Sequence, residues 1–375
     1  MRIGILTLPQ ETNYGGILQA FALQRVLRDM GHEVLTIDRH NRRGYPSFSA
    51  HLAGYTKRLL LHYLAGKKTI TTKWNPHVTA EDYAKASAET QRFIDQNIKL
   101  TRKVFSDELD AIEKEYSFDA YVVGSDQIWL DYYCPESFLS FVHRPEARRV
   151  VYAASCGRAS FFNNEAKVQQ CCELVKQFDG VSVRENYLVA LCKERLGIDA
   201  QWVLDPTMLL RPNDYMAVSE NKVGSKPIVF SYVLDAEKDK ERLVETVARV
   251  KGCPIVNGNR VMTVCTDVSK AFPSVEDWIW NINRSSFVVT DSFHGTVFSI
   301  LFNKPFISIG NKKRGTARFQ SLLSMFGLEN RLLTSYDEDI ILDLIHRPID
   351  FTEVNRTIDL ERRKSIQFLT ETLAI

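Results

Sequence analysis

A single histidine stands at a strand-to-helix junction of this sequence. In Phe287-Val288-Val289-Thr290-Asp291-Ser292-Phe293-His294-Gly295-Thr296 an apolar strand ends in Thr-Asp-Ser, and His294 opens the helix that follows. Of eight histidines it is the one so placed. An imidazole there can exchange a proton or, when charged, grip phosphate beside a helix N-terminus. The local alternative is that Asp291 or Ser292 caps the helix and His294 packs in its first turn. Gly295, next to the ring, favours a ligand.

An aspartate and two sets of cations stand at other strand ends. Tyr121-Val122-Val123-Gly124-Ser125-Asp126-Gln127-Ile128-Trp129 delivers Ser125, Asp126 and Gln127 to the carboxyl end of an apolar strand, where open α/β sheets put ligands. Asp126 can serve as general base for a sugar hydroxyl or hold an acceptor; equally, Ser125 or Asp126 can cap a helix. Arg184 follows the strand Gly180–Val183, and Lys312, Lys313 and Arg314, with Arg318, follow the strand Phe306–Ile309. A guanidinium holds carboxylate or phosphate through two parallel hydrogen bonds, so these positions suit a small anionic donor. The bland readings are a solvated Lys-Lys loop and a surface Arg184–Glu185 pair worth under about 1 kcal/mol.

At the first strand-to-helix junction, Asn13-Tyr14-Gly15-Gly16-Ile17-Leu18-Gln19, paired glycines stand where a loop enters a helix. First-turn amides can receive an anion or a sugar hydroxyl, or the glycines permit a tight turn and close packing. The pattern is not the G-x-G-x-x-G of a dinucleotide site.

The elements that position these groups alternate as strand and helix from the start to about residue 330, which predicts an α/β protein built on parallel sheets. Strands are expected at Arg2–Leu8, Val34–Ile37, Ile228–Val233, Ile255–Val256, Ser286–Thr290 and Pro305–Ile309, with helices at Ile17–Met30, Ala236–Val250 and from His294. Turn formers collect from Asp205 to Pro227 and predict a boundary there. The expected organisation is 1–210, with a helical, locally basic insertion at about 40–107, then 225–354, then a C-terminal helix within 355–375 packing across both. Within the insertion, residues 57–68, including Lys57, Arg58, Lys67 and Lys68, suit either a solvated amphipathic helix or a peripheral contact with an anionic membrane.

Composition limits the partners. The 375 residues are 45% hydrophobic and 25% charged, as in globular proteins, and a net charge of +2 provides no global basic field for nucleic acid. No run of about 18 uncharged apolar residues predicts a membrane span, and Arg2–Leu8 reads as a strand rather than a signal peptide. Seven scattered cysteines, without C-x-x-C spacing, suggest reduced thiols of a cytoplasmic protein, and no His–carboxylate cluster has metal spacing.

Together, Asn13-Tyr14-Gly15-Gly16-x-Leu18-Gln19-Ala20-x-Ala22-Leu23, Val123 through Trp129, Val183-Arg184-Glu185, Leu204-Asp205-Pro206-Thr207 and Asp291-Ser292-Phe293-His294-Gly295 resemble the polysaccharide pyruvyl transferase family, in family order across nearly the whole chain. The resemblance implies two Rossmann-like domains facing a cleft, as in glycosyltransferase-B folds. It implies phosphoenolpyruvate as donor substrate with no separate cofactor, and a glycan or lipid-linked sugar as acceptor, giving a pyruvate ketal for exopolysaccharide biosynthesis with release of phosphate. The donor side is then expected at Arg184, Ser292, His294, Gly295, Thr296, Arg314 and Arg318, with Arg184 on the donor's carboxylate or phosphate and His294 as acid or phosphate contact. The acceptor side is expected at Asn13, Tyr14, Gly15, Gly16, Gln19, Ser125, Asp126 and Gln127, with Asp126 as base. Relatives often carry arginine where this chain has Ser292, so Arg314 or Arg318 is the substitute cation. The competing expectations are a sugar-nucleotide-dependent glycosyltransferase and a non-catalytic glycan-binding relative, since a fold alone does not separate them.

Overall fold

The computed structural model describes residues 1–42, 47–63, 78–157, 164–219, 226–235, 237–258, 272–310 and 315–374. Its elements run β1 (Arg2–Leu6), α1 (Tyr14–Asp29), β2 (Glu33–Thr36), β3 (Arg39–His40), α2 (Phe48–Tyr63), α3 (Ala80–Asn97), β4 (Val104–Phe105), α4 (Leu109–Tyr116), β5 (Ala120–Val123), β6 (Arg148–Ala154), α5 (Glu165–Val175), β7 (Gly180–Val183), α6 (Asn186–Leu196) and β8 (Gln201–Trp202). After α7 (Pro212–Ala217) come β9 (Ile228–Tyr232), α8 (Lys238–Lys251), β10 (Ile255–Asn257), α9 (Val275–Arg284), β11 (Ser285–Thr290), α10 (Phe293–Leu301), β12 (Phe306–Ile309), α11 (Ala317–Met325), β13 (Leu332–Leu333), α12 (Glu338–His346) and α13 (Phe351–Leu373).

Two parallel sheets result. The first has the order β2-β1-β5-β6-β7-β8 and the second β10-β9-β11-β12-β13. Their central strands, β5, β9 and β11 among them, are mostly apolar runs buried on both faces, as parallel strands between helix layers must be. In each sheet the chain winds one way from the first strand to the second and the other way thereafter. The reversal falls between β1 and β5 in one sheet and between β9 and β11 in the other. A crevice opens outside the carboxyl ends of strands at such a reversal, and it is there that Asp126 and His294 follow their strands.

The series break lies between β8 and β9. Asp205 caps the 3-10 turn Pro206–Met208 through Thr207 N at 3.0 Å, and Pro212 starts α7. Part of the expected turn cluster, Gly224 and Ser225, lies outside the described residues, as do Ala236 and Cys265. The 40–107 segment is not a detached insertion. Its ends are joined by the parallel pair β3–β4, Phe93 of α3 meets Phe21 of α1 at 5.9 Å, and Arg92 reaches Glu276 of α9 at 2.9 Å. From the end of the second series α13 returns to the first sheet. Ser365 Oγ accepts from Leu204 N at 3.0 Å and Arg362 Nε donates to Met208 O at 2.9 Å.

One apolar cluster runs through both halves, from Ile3 and Ile5 across α1 to Phe230 and Val288. Separate clusters cover the outer faces of the two sheets. The seam between the halves is aromatic: Tyr14 of α1 stacks on Trp278 of α9 at 5.7 Å and 23°, and Tyr215 meets Phe298 edge-on at 4.9 Å. Element ends differ from expectation mainly where packing decides them. The first strand stops at Leu6, and α1 starts at Tyr14 rather than Ile17, so both glycines lie inside its first turn.

Candidate active site

Where the two sheets' crevices face each other, charged groups from both halves form one buried cluster. Arg184, just past β7, is its hub. Its Nη2 donates to Asp126 Oδ1 at 2.9 Å, its Nη1 to Asp205 Oδ2 at 2.8 Å and its Nε to Glu185 Oε1 at 3.3 Å. Arg184 and Glu185 are therefore not a surface pair; the side chains are 1% and 0% exposed. From the second half, His294 brings Nε2 to 3.5 Å from Asp205 Oδ2, near enough for an ion pair but without hydrogen-bond geometry. Phe293 underlies the cations: its ring centroid is 4.3 Å from the Arg184 guanidinium carbon and 5.9 Å from that of Arg318, at the start of α11.

Burial by itself would raise the Asp126 carboxyl, but Arg184, with His294 and Arg318 adding, holds it below the usual carboxylate range. The same contest is more one-sided at Asp205. There burial is overcome by His294 first, then Arg184 and the hydrogen bond from Thr207, and the carboxyl is held well below that range. Glu185 goes the other way, since its burial outweighs Arg184 and the group is pushed up. For Arg184 burial is outweighed by Asp126, Glu185 and Asp205, which keep it protonated. Arg318 is lowered by burial and by the like charge of Arg184.

The backbone fits this cluster closely. Asp126 sits at φ 69°, a left-handed conformation that aspartate tolerates better than most residues. Its carbonyl accepts from Ile128 N and Ser155 N, which joins the β5 and β6 loops. The β6–β7 register slips between Val151 and Ala154, with Ala153 at φ 54°. Such bulges re-aim side chains beside sites, and here Ala153 O accepts from Ser125 Oγ at 2.8 Å.

The structure brings together Asp126, Arg184, His294, Arg318 and Gly15, and the other candidates lie around them as follows. Gly15 does not offer an open amide cradle, because a Cβ there would fall 1.9 Å from His294 Nδ1. Ser292 caps α10, accepting from Gly295 N at 3.3 Å. Gly295 has a packing reason: a Cβ would fall 2.2 Å from Thr290 Oγ1. Thr296 Oγ1 is shared with Ser308 Oγ at 2.6 Å. On the acceptor side Tyr14 is internal, donating its hydroxyl to Pro273 O at 2.6 Å. Gln19 is internal too, donating to Thr7 Oγ1 at 2.8 Å and to Gly16 O. Asn13 is exposed and Gln127 half-buried, so both reach solvent from the two loops of the first crevice. Arg314, with Lys312 and Lys313, lies outside the described residues.

Two members of the cluster were missing from the expected site. Asp205 lies within the Leu204-Asp205-Pro206-Thr207 motif and also begins the expected boundary; Glu185 lies within Val183-Arg184-Glu185, with a surface pair as its alternative reading. The available signal was their position after β8 and β7, at the same sheet end as Asp126. Several buried polar atoms have no hydrogen-bond partner: His294 Nε2, Arg318 Nε and Glu185 Oε2. Buried polar atoms are seldom left so, and these belong to three residues of the charged cluster. Among the described residues, no group of three or more His, Cys, Asp or Glu side chains is arranged to hold a metal.

A family model described as polysaccharide pyruvyl transferase matches residues 13–313. No curated protein matches the chain. Among solved structures, UDP-GlcNAc 2-epimerase from Neisseria meningitidis bound to UDP-GlcNAc is similar at a TM-score of 0.52 and 8% identity, covering 100% of this chain and 99% of its own. The S. aureus MnaA–UDP co-structure has a TM-score of 0.52 and 12% identity, covering 99% and 96%. The Methanocaldococcus jannaschii UDP-GlcNAc 2-epimerase complex with UDP-GlcNAc and UDP has a TM-score of 0.52 and 11% identity, covering 96% and 99%. At these identities the likeness is one of fold, two Rossmann-like halves of the glycosyltransferase-B kind.

Proposed function

Because the chain belongs to the polysaccharide pyruvyl transferase family, we propose that it transfers the pyruvyl group of phosphoenolpyruvate to two hydroxyls of a saccharide, forming a cyclic ketal and releasing phosphate. The observation that carries this reading is the shared cluster at the seam. His294 from one half and Asp126 from the other meet around Arg184 and Asp205, with Arg318 beside them. The reaction needs an acid, an anion-binding cation and a carboxylate in one water-poor place.

In this reading His294 delivers a proton to the donor's methylene carbon, which leaves the neighbouring enol carbon electrophilic. A first acceptor hydroxyl adds to that carbon and its proton passes to Asp126, which is ionised and so able to receive it. The C–O bond to phosphate then breaks, phosphate departs with the electron pair, and the second hydroxyl closes the ketal as its proton passes to the departing phosphate. Arg318, whose Nε has no protein partner, is the cation available to the donor's anionic groups. Arg184 is already enclosed by three carboxylates, so its role is to hold Asp126 and Asp205 in place and supply the charge that keeps them ionised.

Phosphoenolpyruvate is a cytoplasmic metabolite, and we place the reaction there. No helix among the described residues is long and apolar enough to cross a membrane. On α2, Leu60 and Tyr63 are exposed close to Lys57, which supports a peripheral contact near a lipid-linked acceptor. Lys67 and Lys68 lie outside the described residues. Co-sedimentation with liposomes that ignores their anionic lipid content would remove that contact.

The test of the reaction is titration calorimetry of phosphoenolpyruvate against the wild type and His294→Ala and Arg318→Met variants, with UDP-GlcNAc alongside. Saturable binding weakened in both variants is expected. Heat from the sugar nucleotide and none from phosphoenolpyruvate would replace this reading with sugar transfer.

A further inference from the structure

The loop that leaves β5 carries Asp126 and then a short 3-10 turn, Asp131–Tyr133, at the same carboxyl end of the first sheet. At that turn Tyr132 is 67% exposed, a large aromatic ring left in water. It is not a loose side chain on a loose loop. Its ring lies 4.2 Å from that of Tyr133, tilted by 50°. The Tyr133 ring in turn lies over the guanidinium carbon of Arg39 at 4.7 Å. Arg39, only 1% exposed, donates from Nη2 to Thr7 O at 3.0 Å, in the loop that leaves β1.

The β1 and β5 loops flank the reversal point of the first sheet, and this stack ties one to the other. Backbone bonds hold the turn as well, with Tyr133 N donating to Leu130 O at 2.9 Å, and Lys167 Nζ hydrogen-bonds Asp131 O. Burial, then Tyr132 and, to a lesser degree, the Asp126 carboxylate push the Tyr133 hydroxyl up, so the turn lies within reach of the Asp126 charge.

A buried arginine stacked under one tyrosine that supports a second, exposed tyrosine forms a rigid apolar surface at the rim of a polar crevice. A pyranose has the matching chemistry: one face of axial C–H groups to lie on a ring, and hydroxyls around its edge to reach Gln127, Asp131 and Asp126. Tyrosine suits this because it offers a large flat contact with few rotatable bonds to freeze. We propose that Tyr132 is the stacking platform for the acceptor saccharide and a determinant of which ring the protein accepts. This rests on the saccharide-acceptor reading above and adds the residue that selects the ring.

The experiment is saturation-transfer difference NMR with methyl β-D-galactopyranoside, methyl β-D-glucopyranoside and methyl α-D-mannopyranoside as probes, on wild type, Tyr132→Ala and Tyr132→Trp. Phosphoenolpyruvate is titrated separately into each protein. Saturation of ring C–H protons in the wild type should fall with Tyr132→Ala, with apparent affinity about tenfold weaker, and persist with Tyr132→Trp. Heat from phosphoenolpyruvate should be equal in all three, because the exposed Tyr132 ring is uncharged and the donor's anionic groups are assigned to Arg318. Transfer undiminished in Tyr132→Ala, loss in Tyr132→Trp as well, or no transfer to any probe in the wild type would each overturn the platform. Absence of phosphoenolpyruvate heat with the pyranoside pattern intact would instead overturn the donor reading and leave the platform standing.

Discussion

Gly15 and His294, in opposite halves of the molecule, are packed so tightly that a Cβ on the glycine would lie 1.9 Å from Nδ1 of the imidazole. No real Cβ approaches a ring nitrogen so closely, so the absence of a side chain at Gly15 sets where the second half can sit against α1. The same contact presents the other ring nitrogen, Nε2, to Asp205.

Gly15→Ala should therefore separate the halves or expel the ring. We expect a loss of about 2 kcal/mol or more in urea unfolding, in the range of overpacked cores, together with loss of phosphoenolpyruvate binding. Gly16→Ala should cost less stability, because the nearest atom its Cβ would meet is Asn13 Nδ2 at 3.3 Å, the end of a side chain that can give way. The double variant Gly15→Ala, His294→Ala should recover part of the lost stability. If the two single costs simply add, the contact is not what limits the packing.

Asp205 holds four partners: Arg184, Ser125, Thr207 and the nearby His294. Asp205→Ala leaves Arg184 buried with one carboxylate fewer and should cost about 3–5 kcal/mol, the range for breaking a buried pair. Equilibrium unfolding of this variant beside a surface control, Asp199→Ala, would measure it. A cost below about 1 kcal/mol would mean that the cluster rearranges without it.

The acid limb of the stability profile follows from the same groups. Asp126 and Asp205 have folded pKa values below their unfolded ones, so the unfolded chain binds more protons in acid. Their contribution is complete above about pH 4 and declines as pH falls towards the folded values. Glu185 is raised, so its contribution has the opposite sign: present in acid and lost as pH rises through its folded pKa. Unfolding free energy measured from pH 3 to 7 should rise with pH at the acid end. The rise should be shallower in Asp205→Asn, while Glu185→Gln should remove an opposing term. An Asp205→Asn profile parallel to the wild type would contradict the assignment.

Ser292 closes the N-terminus of α10, the helix that carries His294. Ser292→Ala should cost about 1 kcal/mol through the lost cap. Ser292→Thr, which keeps the oxygen, should cost less. Equal losses from both would show that the bond to Gly295 N contributes little.

Arg318 is buried beside a like charge, Arg184, and the nearby Asp126 and Glu185 offset its burial only in part, an arrangement that an arriving anion would stabilise. Arg318→Met should leave the fold intact or slightly more stable, and weaken phosphoenolpyruvate about tenfold or more. Thermal unfolding with and without the ligand separates the two effects. A ligand-induced rise in Tm equal to that of the wild type would exclude Arg318 from the donor site.

Much of the architecture is local and so was legible in the residues. Ile228 to Tyr232 and Phe287 to Thr290 are apolar but for Ser231 and Thr290, as strands buried on both faces mostly are, and strand–helix alternation then leaves few options besides parallel sheets. Position at the carboxyl end of a strand was equally visible, and it picked out Asp126, Arg184 and His294. What one dimension could not carry is which loops meet. Arg184 read as an open cation because its partners Asp126 and Asp205 are distant in sequence, and their charges act only once β5, β7 and β8 lie side by side. Tyr14 and Gln19 read as ligand contacts because a polar atom near a glycine pair looks available until Pro273 takes the Tyr14 hydroxyl and Thr7 the Gln19 amide nitrogen. The glycine at position 15 was conspicuous in the sequence, but its cause was not, since the atom it accommodates belongs to the other half of the protein. Sequence by itself determined the strands, the helices and the ends at which chemistry gathers, because these follow from periodicity and backbone preference. Only tertiary structure decided the charge state of the cluster, its seclusion from water and its sharing between two sheets, because those depend on distances between residues far apart along the chain.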